Sequence, residues 1–298
     1  MRRIFLFITL IINTGISFGQ EPILEPIQQF GVGTLLSAVI TPDGKNAITS
    51  GQHGIFLWDV ETGKVIRKIV TNQARRIFDL SKDGKKILIS GITLAIYDAE
   101  KWEILIENRS AVLSNAMFSD DGNRYITVNT DISTIDLYRT DSIQKVCTVK
   151  YVGKGDSVAA LSPDGNMIAV LENDRSTRIV DVDTGKTIHL LSAPNYFGYP
   201  QAFTPDNSQL ITVSIRGVVK IWDMKSGKEI KTFDLEKRYC LIKLSPDGEK
   251  LICGDLVGSV DVWDMNFGES IHRSSEHSAK ILSISFSTDG ERFRLFAV

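Results

Sequence analysis

Side chains able to do chemistry are few and widely scattered in this 298-residue chain. The four histidines, His53, His189, His272 and His277, lie far apart and match no metal-ligand spacing. Cys147, Cys240 and Cys253 are too few for a disulfide framework at this length. Cys240 and Cys253 could meet across a hairpin, but a one-residue change of register would put them on opposite faces. Free, buried thiols are the expectation. "GKGDS" at 153–157 has a phosphate-loop flavour, yet it lacks the upstream glycine and the following helix that cradle a phosphate. "DVDTG" at 181–185 is a fragment of a calcium loop without its ligating Glu, and reads as a turn. "GVG" at 31–33 is an approach to a strand rather than half of a dinucleotide fingerprint. No catalytic residue, metal ligand or cofactor is expected.

The elements that would have to position any site are repeats. Thr41-Pro42-Asp43-Gly44 recurs as Ser81-Lys82-Asp83-Gly84, Ser119-Asp120-Asp121-Gly122, Ser162-Pro163-Asp164-Gly165, Thr204-Pro205-Asp206-Asn207, Ser245-Pro246-Asp247-Gly248 and Ser287-Thr288-Asp289-Gly290, with starts 38 to 43 residues apart. A period near 40 with strand-like content predicts propeller blades. Each tetrad reads as a hairpin turn: Ser or Thr first, Pro presetting φ, Asp bonding its own backbone, and Gly supplying a left-handed residue. Asn207 replaces one glycine with the residue that best tolerates that conformation. A short apolar strand precedes each turn and another follows it. A third strand ends in Trp58-Asp59, Tyr97-Asp98, Tyr138-Arg139, Val180-Asp181, Trp222-Asp223 or Trp263-Asp264. Polar turns such as "ETGK" and "KSGK" then lead to a fourth strand. Alternation along the strands is imperfect, as expected where sheets are buried on both faces.

With "SPDG" turns and "IWD" strand ends over residues 35–298, the sequence resembles the WD-repeat β-propeller family. The resemblance implies an all-β propeller of WD-type repeats, with six full four-stranded blades and an incomplete seventh. The family's Gly-His pair is missing almost everywhere, Glu276-His277 being its one trace. The buried His–Asp network typical of eukaryotic members is therefore expected to be absent, and the weak Gly-His usage together with an export signal resembles bacterial secreted members. In the family an N-terminal strand completes the last blade, and Ile27–Phe30, "IQQF", stands at the right offset. The chain closes with "ISFSTDGERFRLFAV", the first strand, turn and second strand of a seventh blade. Its third strand is missing. Either "IQQF" pairs directly with "RFRLFAV", or the chain is a shortened version of a longer one.

The N-terminus differs in kind from the repeats. Arg2 and Arg3, the apolar run Ile4–Ile12 and Ser17-Phe18-Gly19 form the pattern of a secretory signal peptide. The apolar run is too short to cross about 30 Å of hydrocarbon as a helix. Residues 1–19 are thus read as a leader, 20–34 as a linker carrying the closing strand, and 35–298 as the propeller, with the mature chain exported to the periplasm or secreted. No integral membrane segment remains after cleavage. With 34 Lys+Arg against 36 Asp+Glu, the net charge of -2 offers no field for nucleic acid.

Propeller enzymes gather carboxylates or histidines from several blades. The second-to-third-strand connections here carry His53, Thr93, Asp131, Asp174, Arg216 and Val257, a mixed set with no recurrent ligand type. Recognition by loops is the better expectation. In the family, partners dock on the face built from these connections and the fourth-to-first-strand ones. The latter hold Arg75, Arg76, Tyr151, Tyr196, Phe197, Tyr199, Arg238 and Tyr239, the aromatic and Arg types that anchor interfaces. The expected function is a non-catalytic exported scaffold for a protein or peptide. A small-molecule or glycan-binding propeller and a metal-dependent propeller hydrolase are the alternatives.

Overall fold

A computed structural model describes residues 6–12, 23–30, 35–51, 53–69, 76–90, 93–108, 115–142, 144–151, 159–172, 176–192, 198–214, 216–239, 241–275, 281–286 and 292–297. These residues form 28 strands in seven four-stranded antiparallel sheets, divided between two compact units, 1–77 with 239–298 and 78–238. No helix among them is long and apolar enough to cross a membrane.

The first unit contains β1 (Leu6–Ile12) and β2 (Ile23–Phe30), then a sheet of β3 (Leu35–Ile40), β4 (Asn46–Gly51), β5 (Gly54–Asp59) and β6 (Val65–Ile69). The second unit holds four sheets. They are β7 (Arg76–Leu80), β8 (Lys86–Ser90), β9 (Leu94–Asp98) and β10 (Ile104–Asn108); β11 (Asn115–Phe118), β12 (Arg124–Asn129), β13 (Thr134–Arg139) and β14 (Lys145–Lys150); β15 (Ala159–Leu161), β16 (Met167–Leu171), β17 (Thr177–Asp181) and β18 (Thr187–Leu191); and β19 (Gly198–Phe203), β20 (Gln209–Ser214), β21 (Val218–Asp223) and β22 (Glu229–Asp234). The chain returns to the first unit with β23 (Leu241–Leu244), β24 (Lys250–Gly254), β25 (Val260–Asp264) and β26 (Glu269–Ser274), then β27 (Ile281–Phe286) and β28 (Arg292–Ala297). Six sheets thus follow the repeat, strand next to strand.

Burial falls off across each blade. Second strands bury consecutive residues, as in Ile87, Leu88 and Ile89, because both of their faces are covered. Fourth strands are mostly exposed, as in Val65 and Ile66 of β6 or Ile230 of β22. The cores lie between neighbouring sheets of a unit. Leu88, Leu94 and Ile96 pack on Ala116, Phe118, Tyr125 and Tyr138, and Ile126 and Leu137 pack on Ile168 and Val180. Each such side chain contributes about 1.5–3 kcal/mol when fully buried, and no single sheet can bury both of its faces alone. Cations also tie sheets together in the second unit. Lys86 Nζ donates to Gly122 O at 3.1 Å, and Arg124 Nη1 to Gly165 O at 3.0 Å.

The first-to-second-strand turns have the expected chemistry. Thr41 Oγ1 donates to Asp43 Oδ1 at 2.6 Å and accepts from Asn46 N, Asp43 Oδ1 accepts from Lys45 N, and Gly44 has φ 69°. The pattern repeats at Ser81/Asp83, Ser119/Asp121, Ser162/Asp164, Thr204/Asp206 and Ser245/Asp247. Asn207 takes φ 61°, as its place in the pattern requires. The seventh tetrad lies outside the described residues.

The last sheet differs from the sequence expectation. Its order is β2-β1-β28-β27, so β1 occupies the third-strand position and "IQQF" does not pair directly with β28. Phe7 to Ile12 lie opposite Ala297 to Arg292 on one side, and Leu6 to Ile12 opposite Phe30 to Ile23 on the other. β1, an uncharged run of mostly apolar residues of the kind that suits a central strand, lies between β2 and β28 and makes this sheet four-stranded. Those residues are the ones the sequence reads as the core of a leader.

Candidate functional site

Each blade has two chemically different ends. At one end the S/T-x-D-G turn meets the third-to-fourth-strand turn, and a backbone bond joins them: Val60 N to Lys45 O, Val182 N to Asn166 O and Met224 N to Ser208 O, at 2.8–2.9 Å. The Asp that closes the third strand holds the second turn. Asp59 Oδ1 accepts from Thr62 N and Thr62 Oγ1, Asp181 from Thr184, and Asp223 from Ser226. Hydrogen bonds from the hydroxyl, then from the backbone N–H, hold these three carboxyls below the usual aspartate value. The polar side chains at this end are engaged with their own turns.

The opposite end carries the second-to-third-strand turns and the fourth-to-first-strand connections. In the β23–β26 sheet, Asp255 Oδ1 accepts from Val257 N and Ser259 N at 2.9 and 2.7 Å. That cap fixes a turn on which Leu256 and Val257 are 64% and 70% exposed. In the β11–β14 sheet, Asn129 Oδ1 accepts from Asp131 N and Ile132 N, Ser133 has φ 52°, and Ile132 is 67% exposed. In the β19–β22 sheet, Ser214 Oγ accepts from Val218 N, and Gly217 has φ 91°. Leu235 N donates to Gly217 O, and a Cβ on Gly217 would stand 2.2 Å from Lys237 O. This close approach of two backbones sets the exposed Arg216 and Arg238 on one loop cluster.

The expected binding residues divide by position. Arg76 is exposed at the start of β7, and Arg238 is exposed after β22. Tyr199 is in β19, opposite Val213 of β20. Arg75, Tyr196 and Phe197 lie outside the described residues. Tyr151 is buried, which corrects its reading as a surface contact. Its ring packs with Val149, Ile135 and Val128, and its N–H donates to Ser133 O at 3.1 Å, so it braces the turn that displays Ile132.

Tyr239 is half-buried and also braces. Its hydroxyl donates to Oδ2 of the fully buried Asp261, to which Arg273 Nε pairs at 3.4 Å. Arg273 in turn lies 5.8 Å over the Trp263 ring. Burial, then the Asp261 carboxylate, pushes the Tyr239 hydroxyl well above its ordinary value. Burial, then Asp261, does the same to the Cys253 thiol, which is free, as is Cys147. Cys240 lies outside the described residues. Neither the Tyr239–Asp261–Arg273 link nor the apolar turns were among the sequence candidates. The signal for the turns was available: Ile132, Leu256 and Val257 are large apolar residues where turn positions favour polar ones.

Among the described residues no group of three or more His, Cys, Asp or Glu could hold a metal ion. Of the aligned connection residues, His53, Asp131, Arg216 and Val257 are exposed and Thr93 Oγ1 donates to Glu107; Asp174 lies outside the described residues. His277 does too, so the expectation about a His–Asp network stays with the sequence. Tryptophan instead bonds threonine across strands, Trp58 Nε1 to Thr49 Oγ1 at 2.7 Å and Trp222 Nε1 to Thr212 Oγ1 at 2.9 Å.

Comparison with known proteins agrees with the repeat. Residues 123–196 match the family model of the anaphase-promoting complex subunit 4 WD40 domain. Autophagy-related protein 18 of Meyerozyma guilliermondii is 27% identical over 111 residues, 36% of this chain and 19% of that protein. COMPASS component SWD3 of Saccharomyces cerevisiae is 26% identical over 216 residues, 67% of each chain. WD repeat-containing protein 1 of Bos taurus is 22% identical over 223 residues, 68% of this chain. The match thus spans about a fifth of the first relative and 36% of the last. The repeats are similar to WD40 repeats, and the described residues form all-β, four-stranded antiparallel sheets.

Proposed function

We propose that this protein is a non-catalytic, exported scaffold that recognises a protein or peptide through the blade ends bearing the second-to-third-strand turns. One observation carries the reading. Large apolar side chains, Ile132, Leu256 and Val257, stand exposed on turns whose backbones are held by Asn129 and Asp255. Rigidly displayed apolar groups lose little entropy on binding, which suits them to anchor an interface. The polar groups of the opposite end are already engaged and have less to offer a ligand. A relative that is by name a component of COMPASS fits a role in an assembly. Export rests on the leader pattern of residues 1–19, and a periplasmic or secreted location follows from it.

The test is capture from the native envelope with a chain beginning at Gln20. Leu256→Ser/Val257→Ser and Tyr196→Ala/Phe197→Ala/Tyr199→Ala are compared with the parent chain. Loss of the captured protein from a folded variant supports the reading. If both variants fold and retain every captured partner, these blade ends are not the recognition surface.

A further inference from the structure

Among the described residues, the fourth strand of each of the six sheets that follow the repeat lies at the edge of its sheet. An edge strand offers its backbone N–H and C=O groups to other strands, and Lys or Arg on it is a common guard. β6 carries Arg67 and Lys68, β14 Lys145 and Lys150, β22 Lys231, and β26 Arg273. β10 and β18 carry neither Lys nor Arg. His189 of β18 is committed to Met224 O of the neighbouring sheet, and that strand has no charge with which to select a partner.

β10 is apolar and acidic at once. Ile104 and Leu105 are 53% and 50% exposed, and Glu103 and Glu107 flank them as exposed acids. Leu105 is the extra residue of a bulge, because Ile104 lies opposite Tyr97 and Ile106 opposite Ile96. Just before the strand, Trp102 has φ 62° where the equivalent turns have Gly63, Gly185, Gly227 and Gly268. A bulky residue costs free energy in that conformation, and its half-buried ring adds apolar surface beside β10.

The complementary edge is β6. Val65 and Ile66 are 46% and 55% exposed, and Lys64, Arg67 and Lys68 are exposed around them. Ile66 is the bulge residue here, since Val65 lies opposite Trp58 and Arg67 opposite Leu57. The two edges match residue by residue. Set antiparallel, Glu103-Ile104-Leu105-Ile106-Glu107 and Lys64-Val65-Ile66-Arg67-Lys68 bring an acid to a base at both ends and Leu105 to Ile66 in the middle.

We propose that β10 of one molecule pairs with β6 of a second copy of this chain. Backbone hydrogen bonds supply the affinity, as in other strand additions, and the flanking charges fix the register. Pairing of β10 with its own counterpart fits less well: the same alignment sets Glu103 against Glu107, and like charges across strands repel. β6 with itself sets Lys64 against Lys68. Two different surfaces therefore meet, and such association is head-to-tail, growing beyond two molecules or closing into a ring. The contact uses strand edges rather than the turns assigned to recognition above, so it stands or falls apart from that reading.

The experiment is sedimentation equilibrium of the full chain over a range of concentrations. The parent is compared with Glu103→Lys/Glu107→Lys, with Lys64→Glu/Lys68→Glu, and with a chain carrying all four changes. The parent should show a mass above the monomer that rises with concentration and falls with added salt. Either charge reversal alone should weaken association roughly tenfold or more, and the four-change chain should recover it. Ile66→Ser/Leu105→Ser, which keeps every charge, should also weaken it. Hydrogen exchange at residues 64–68 and 103–107 should slow as the parent associates.

A parent that stays monomeric at every concentration overturns the proposal. So does association that neither reversal weakens, or a folded four-change chain that remains dissociated. Urea midpoints identify the folded variants. Should a charge-reversed chain fail to fold, the serine pair decides, and unchanged association in it overturns the proposal as well.

Discussion

The two ends of a blade are made from similar numbers of turn residues and obey different rules. At the end of the S/T-x-D-G and D-x-T/S-G turns, hydroxyls, carboxylates and left-handed glycines answer one another within a few residues. The same solution therefore recurs in sheet after sheet. At the other end each turn is held differently, by Asn129, Ser214 or Asp255, and each displays something else. Local closure allows repetition, and the absence of a repeated local solution leaves room for recognition.

Glycine should break this comparison most sharply. Gly122 has φ 68° and nothing within 4 Å of an added Cβ, so Gly122→Asn should cost no more than about 1 kcal/mol. Asn207 already occupies the equivalent place. Gly217 belongs to the irregular end, yet any Cβ there would collide with Lys237 O at φ 91°. Gly217→Asn should cost about 3 kcal/mol by strain and displaced backbone. Urea midpoints compare the two directly. Similar costs would mean that the Gly217 approach is not a constraint.

The carboxylates of the regular end come next. Asp121 accepts from Ser119 Oγ, Asn123 N and Asn123 Nδ2, and Asp121→Ala should cost about 1–2 kcal/mol. Acid should act on the same groups together. Asp59, Asp181 and Asp223 have folded values below the ordinary 3.8. Their stabilisation is thus complete above that value and lost as pH falls through the lower folded ones. The melting temperature should drop as pH falls below about 4. It should drop less steeply in Asp59→Asn/Asp181→Asn/Asp223→Asn, which retains an acceptor and removes the titration. An unchanged slope would show that these turns do not govern acid stability.

Much of the regular end was legible because its causes are local. The tetrads announced their turns, Asn207 announced its left-handed φ, and "WD" announced the end of a third strand. What the Asp of that pair does, accepting from the residue three places on, is equally local but was read only as a polar turn. The rest depends on long-range packing. Tyr151 and Tyr239 look like interface residues in a connection, and burial makes one a core ring and the other the partner of Asp261. The role of Leu6–Ile12 was least accessible. Its apolar run satisfies both a leader and a central strand, and its pairing with β28 depends on residues at the far end of the chain.

The smallest effect on stability belongs to the apolar turn residues. Asp255 holds its turn through the backbone N–H groups of Val257 and Ser259, and Gly258 supplies φ 95°. None of those constraints involves the side chains of Leu256 or Val257, which face solvent. Leu256→Ser/Val257→Ser should therefore leave the urea midpoint within about 0.5 kcal/mol of the parent. Asp255→Ala should instead loosen the turn and cost about 1–2 kcal/mol, since two buried-side N–H groups lose their acceptor. If the serine pair proves as costly as Asp255→Ala, the two side chains belong to the packing of the blade. The distinction between an end that is spent on folding and an end that is free to bind would then fail at its clearest instance.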